Sequence, residues 1–153
     1  MSAPIIYLTN WASAPRRDSL FPSPQWGPKY YPAYTIMAAP RVFEVGQGFV
    51  TALIPDGALM RAAKAELAAG PPGPAAARYR AAYEARLLAS DVLGPGALVA
   101  VKHGDTDRVT DGSKLCCSCS RAAAAAGFCH RAWAAPILAR VGWRVILDGV
   151  EVT

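Results

Sequence analysis

Lys114-Leu115-Cys116-Cys117-Ser118-Cys119-Ser120 and, a little further on, Gly127-Phe128-Cys129-His130-Arg131 hold all four cysteines of the 153-residue chain and one of its two histidines. Leu115 to Cys117 reads as a short buried strand. Arg121 to Ala126 is a strong helix former, because alanine loses no side-chain entropy in a helix, and Gly127 breaks the run. A second helical pattern starts near Cys129 and passes through Ala132, Trp133, Ala135, Ile137 and Leu138 to Val141. Pro136 lies inside it and either kinks it or marks its true start. This order puts Cys117 and Cys119 just past the C-terminal end of a strand, and Cys129 and His130 near a helix N-terminus. In open α/β sheets, ligands bind in the crevice beyond the strand ends.

Outward from this stretch the chain alternates strands and helices. Ile5 to Thr9 reads as a buried first strand, followed by Asn10 and the loop containing Arg16 and Arg17. Phe21 to Pro32 is rich in proline and aromatic rings, which excludes a regular helix or central strand. Its rings either cover a core edge or offer stacking surfaces for a base. Tyr34 to Ala38 reads as a second strand, and Phe49 to Ile54 as a short extension or strand. Asp56 is suited to cap a helix over Ala58 to Ala69, with Lys64 and Glu66 on its polar side. Gly70-Pro71-Pro72-Gly73-Pro74 is a stiff break. In the helix that follows, over Ala75 to Leu88, Tyr79, Tyr83 and Leu87 recur on one face.

Ala97 to Val101 reads as a central-type strand, and His103 to Asp111 as a solvated polar turn without calcium-loop spacing. Trp143 to Leu147 is a last strand, and Asp148-Gly149 is a turn. The predicted class is α/β: a single domain over residues 1–153, with a mainly parallel sheet and flanking helices.

The chemistry of the opening stretch follows from its placement. Unpaired N–H groups give a helix N-terminus partial positive charge, which favours a thiolate there. Cys129 is the leading nucleophile, with His130 as general base or proton carrier and Arg131 supporting the thiolate or holding an anionic group. Cys117 and Cys119 are partner thiols, one of them resolving an intermediate. The rival reading makes Cys117, Cys119 and Cys129, perhaps with His130, ligands to a structural zinc. The Cys-x-Cys spacing, with nine residues before Cys129, is not a common finger pattern. Cys116, inside the strand, reads as a core residue. Asn10 and Arg16 would share the rim with Cys117 if the sheet is parallel, as substrate-binding groups; Arg16 and Arg17 also read as a solvated loop.

The same residues carry a resemblance. An apolar strand, Cys-x-Glu, a spacer, then Cys-His-Arg and an amphipathic helix is the pattern of the domain-of-unknown-function family 488. Leu115, Cys117, Cys129, His130, Arg131 and Leu138 fall on it, Cys119 standing where the family more often has glutamate. Ile6 to Asn10, Tyr34 to Pro40, Leu53-Ile54-Pro55, and the pair Tyr79 and Tyr83 resemble the family's earlier segments. The resemblance implies no settled activity; some members are associated with work on nucleic-acid bases.

The net charge of +5 permits a nucleotide or nucleic-acid partner and equally describes an ordinary solvated surface. No apolar run approaches the length of a bilayer span, and the N-terminal residues lack a secretory signal pattern. The expectation is a cytoplasmic protein without membrane attachment, in which four cysteines serve as thiols or ligands rather than as a disulfide frame. Three functions follow: a thiol-dependent or metal-assisted enzyme acting on a nucleotide, nucleobase or other anion; a zinc-binding module; or a nucleic-acid binder using Arg16, Arg17 and the aromatic loop. Composition sets no oligomeric state.

Overall fold

The computed structural model describes residues 2–10, 33–36, 48–102, 104–117 and 127–153. Arg16, Arg17, the aromatic loop, His103, Cys119 and the alanine-rich run 121–126 lie outside the described residues.

The sheet is built around β1 (Ile5–Asn10), whose β-branched and apolar residues alternate in burial as a strand's two faces require. Ile6, Leu8 and Asn10 are buried, while Ile5, Tyr7 and Thr9 are only half-buried. On one side β1 pairs in parallel with β5 (Ser113–Cys117), and β5 pairs in parallel with β2 (Ala33–Thr35). On its other side β1 pairs in parallel with β6 (Arg144–Leu147), and β7 (Val150–Val152) closes that edge antiparallel to β6. The order is β2-β5-β1-β6-β7, so the predicted α/β class with a mainly parallel sheet is what the chain forms. The β1–β5 register sets Asn10 beside Cys117, and β1's C-terminal end therefore shares a rim with the cysteines.

Among the described residues there are three α-helices, of which the third packs on the sheet, the second on the third and the first on the second. α1 (Gly57–Ala69) starts at Asp56, whose carboxylate accepts the Leu59 N–H at 3.0 Å, the cap expected of that residue. α2 (Pro74–Leu88) begins on the proline that ends the break, a position where a missing N–H costs nothing. Glu66, expected merely on a polar face, reaches across from α1 and accepts N–H groups of Ala75 and Ala76 at 2.8 and 3.1 Å. It thereby caps the next helix. α3 (His130–Arg140) packs on β1 and β6 and carries Pro136 as an internal residue rather than as its start. The Pro136 ring faces solvent, so the helix bond it removes is lost where water is near. The core joins Leu8, Leu115 and Val145 of the sheet to Ile137 and Leu138 of α3, and Tyr79, Tyr83 and Leu87 of α2 close over it.

One strand is not where the sequence put it. The apolar run read as a central strand forms β3 (Val99–Lys102), which leaves the main sheet and pairs antiparallel with β4 (Asp105–Arg108). Only one face of the run is dry: Leu98 and Ala100 are buried, but Val99 and Val101 are 37% and 38% exposed. The exposed Asp-Thr-Asp-Arg sequence of β4 fits the place of this ribbon at the surface. A bridge between Phe49 and Val101 ties it to the 3-10 turn Thr51–Leu53, where an extension or strand was expected. No described helix is long and apolar enough to cross a membrane.

Candidate functional site

Two short-range features create the site. β5 ends at Cys117, and side chains alternate along it, so Leu115 and Cys117 face α3 while Cys116 faces the opposite side of the sheet. Cys129 is the N-cap of α3, in extended backbone, and its carbonyl accepts the Ala132 and Trp133 N–H groups. The parallel sheet brings the strand end and the helix start together. The Cys117 and Cys129 sulfurs lie 3.4 Å apart, without a bond between them. Cys116 is buried, as its core reading required.

Arg131 is the second residue of α3, and its guanidinium reaches both sulfurs. Its Nη1 donates to Cys117 Sγ at 2.9 Å and to Cys129 Sγ at 3.4 Å. Its Nη2 donates to Asp148 Oδ2 at 3.1 Å. The arginine side chain is 0% exposed and the aspartate side chain 17%. Burial works to lower the guanidinium's pKa, but the neighbouring Cys117 and Cys129 sulfurs and Asp148 outweigh it and hold the group above arginine's ordinary value. Arg131 is therefore a permanent buried cation. Of the two roles read from sequence, supporting a thiolate or holding an anion, its contacts with both sulfurs match the first.

His130 is buried too, and its Nε2 lies 2.7 Å from the Ile36 carbonyl, so that nitrogen carries a proton. Its ring meets Tyr83 edge-on at 5.6 Å, and the Tyr83 hydroxyl donates to the Leu53 carbonyl at 2.7 Å. Burial, ahead of any charge, raises the Tyr83 hydroxyl well above its ordinary pKa. Trp133, Tyr79 and Phe128 continue this aromatic block between α2 and α3. His130 thus ties the start of α3 to the end of β2. Asn10, buried at the end of β1, sits in register with Cys117.

Of the residues singled out from sequence, the fold assembles Cys117, Cys129 and Arg131 within direct contact, seats His130 next to them in the chain, and sets Asn10 on the same rim. Cys119 and Arg16 are outside the described residues. Both sulfurs are buried, Cys117 at 0% and Cys129 at 2% exposure, so the open pocket expected around them is not formed by the described residues. Sequence reasoning missed Asp148. It is the first residue of the Asp148-Gly149 turn, and φ values of 47° and 87° give that turn the twist that suits a two-residue hairpin. The Asp-Gly signal was legible as a turn; its ion pair with Arg131 was not.

Cys119, one of the three zinc ligands read from sequence, lies outside the described residues. Among the described residues no three His, Cys, Asp or Glu side chains group as metal ligands. A dication drawn to the Cys117 and Cys129 sulfurs would also lie against the guanidinium that contacts both of them. Comparison with protein-family models, with curated proteins and with solved structures finds no match to this chain.

Proposed function

We propose that this chain is a thiol-dependent enzyme, with Cys129 as nucleophile in its thiolate form, Cys117 as its partner thiol and Arg131 favouring the charged sulfur, acting on a nucleotide, nucleobase or other anionic substrate. One observation carries the proposal: a buried guanidinium within 2.9 and 3.4 Å of two sulfurs that are themselves 3.4 Å apart. The thiolate, not the thiol, is the nucleophile, and a cation at hydrogen-bond distance favours it. The N-terminus of α3 acts in the same sense on Cys129. His130 is the proton carrier, its ring oriented by the Nε2 contact with the Ile36 carbonyl.

Further support comes from the resemblance to the domain-of-unknown-function family 488, whose pattern falls on β5 and α3, the two elements that make this cluster. The net charge of +5 and Asn10 at the rim suit a polar or anionic substrate. Thiols kept reduced suit a cytoplasmic setting.

Iodoacetamide labelling of the native protein, read by peptide mass mapping, tests the proposal. Cys129 is expected to label ahead of Cys116, and in Arg131→Met the rate at neutral pH falls by about tenfold as the thiolate fraction drops. Cys129→Ser abolishes activity and leaves the far-UV circular dichroism unchanged. If Cys129 stays unlabelled in native protein while urea-unfolded protein labels fully, the proposal fails.

A further inference from the structure

We infer that Cys117 and Cys129 are a two-electron dithiol–disulfide couple, oxidised by a small hydroperoxide and restored by an external dithiol. The inference rests on the reactive thiolate proposed above and adds its oxidant and the fate of both sulfurs.

The geometry points this way on three counts. First, the sulfurs are 3.4 Å apart, so a bond of about 2.0 Å needs them to approach by only about 1.4 Å. One sulfur sits on a strand end and the other on a helix cap, where small side-chain rotations suffice. Cys116 faces the other side of β5 and does not compete. Second, Arg131 touches both sulfurs. It favours the thiolate that must attack, and its N–H can stabilise the hydroxide or alkoxide that must leave. Third, the pair is buried, at 0% and 2% exposure. That selects against an oxidant the size of a peptide or protein disulfide, whose sulfur must be reached in line, and favours a small neutral molecule such as hydrogen peroxide.

The steps balance. The Cys129 thiolate attacks the distal oxygen of the hydroperoxide. An S–O bond forms, the O–O bond breaks, and the leaving hydroxide or alkoxide takes up a proton. Cys129 is then a sulfenic acid. The Cys117 thiol attacks that sulfur; an S–S bond forms, the S–O bond breaks, and water leaves with the Cys117 proton. Two thiols have given up two electrons, and the hydroperoxide has become an alcohol, or water, plus a second water. A small dithiol returns the pair by exchange: its thiolate attacks one sulfur, its second thiol then displaces the other, and it leaves as a disulfide having supplied the two electrons.

The test treats full-length protein, wild type and Cys119→Ser, with hydrogen peroxide in native buffer, then blocks remaining thiols and maps peptides by mass. Both proteins are expected to lose two hydrogens per chain and to yield one cross-linked peptide joining Cys117 to Cys129, which dithiothreitol reverses. In Arg131→Met the link forms about tenfold more slowly. In Cys117→Ala, Cys129 proceeds to sulfinic acid for want of a partner. Oxidation of Cys129 to sulfinic acid in wild-type protein, with Cys117 still a thiol, overturns the inference, as does a link joining any other pair. If Cys129 alkylates in native protein but no link forms, the couple is refuted and the thiol-enzyme proposal stands. If neither occurs, both fall.

Discussion

Arg131 stands where local rules disfavour it. The first turn of a helix is its positive end, which favours carboxylates, yet α3 has no acidic residue there and buries a guanidinium instead. Such a local conflict is retained where something nearby requires it, and here Asp148 and the two sulfurs supply the compensation. Asp148→Asn should destabilise the fold by about 3 kcal/mol in urea unfolding, because it removes a carboxylate paired with a buried cation. The same variant should also change the pH dependence of Cys129 alkylation, which a purely structural role for Asp148 would leave unmoved. Tyr83 belongs to the supporting layer. Tyr83→Phe leaves the Leu53 carbonyl unsatisfied and should cost about 1 kcal/mol by the same measurement.

Among the elements, the α1–α2 hairpin depends on a carboxylate that periodicity alone assigns to the surface. Glu66 bonds to the first N–H groups of α2, and the Ala75 N–H above all holds its carboxyl below the ordinary value of 4.5. A depressed folded pKa stabilises the folded state fully above that ordinary value, and the contribution disappears as pH falls through the lower folded value. Glu66→Gln should therefore lower Tm by a few degrees at neutral pH, and the gap to wild type should close as acid carries the pH down through that lower folded value, followed by thermal melts across pH. Gly73 belongs to the same device: a Cβ there would meet the Glu66 carboxyl at 3.2 to 3.3 Å. In α3, Pro136 removes one internal bond on the wet face, and Pro136→Ala should raise stability by about 2 kcal/mol after its effect on the unfolded chain is allowed for.

Across the whole molecule, the parallel sheet is the device that converts sequence distance into contact. β5 and β6 lie on opposite sides of β1, and α3 crosses between them, so residues 117, 129, 131 and 148 meet at one end of the sheet. With a guanidinium already in the place of a metal cation, exhaustive dialysis against a chelator should leave the urea midpoint and the circular dichroism unchanged. A lower midpoint, restored by zinc, would instead reinstate a structural metal.

Several features were legible in the residues themselves, because they are set by neighbours in the chain. The α/β class follows from period-two and period-3.6 patterns, the start of α1 from Asp56, the buried stripe of α2 from Tyr79, Tyr83 and Leu87, and the Cys129 helix start from Gly127 and the apolar spacing beyond it. The concentration of thiols also singled out the stretch in which Cys117, Cys129 and Arg131 come into contact. What no local pattern could decide was who meets whom. The departure of β3 to a surface ribbon, the capping role of Glu66, the inward turn of Arg131 and its pairing with Asp148 are contacts across the fold. They depend on strand order and register, which tertiary packing selects by weighing burial over the whole chain, whereas periodicity reports only which face of each element is apolar.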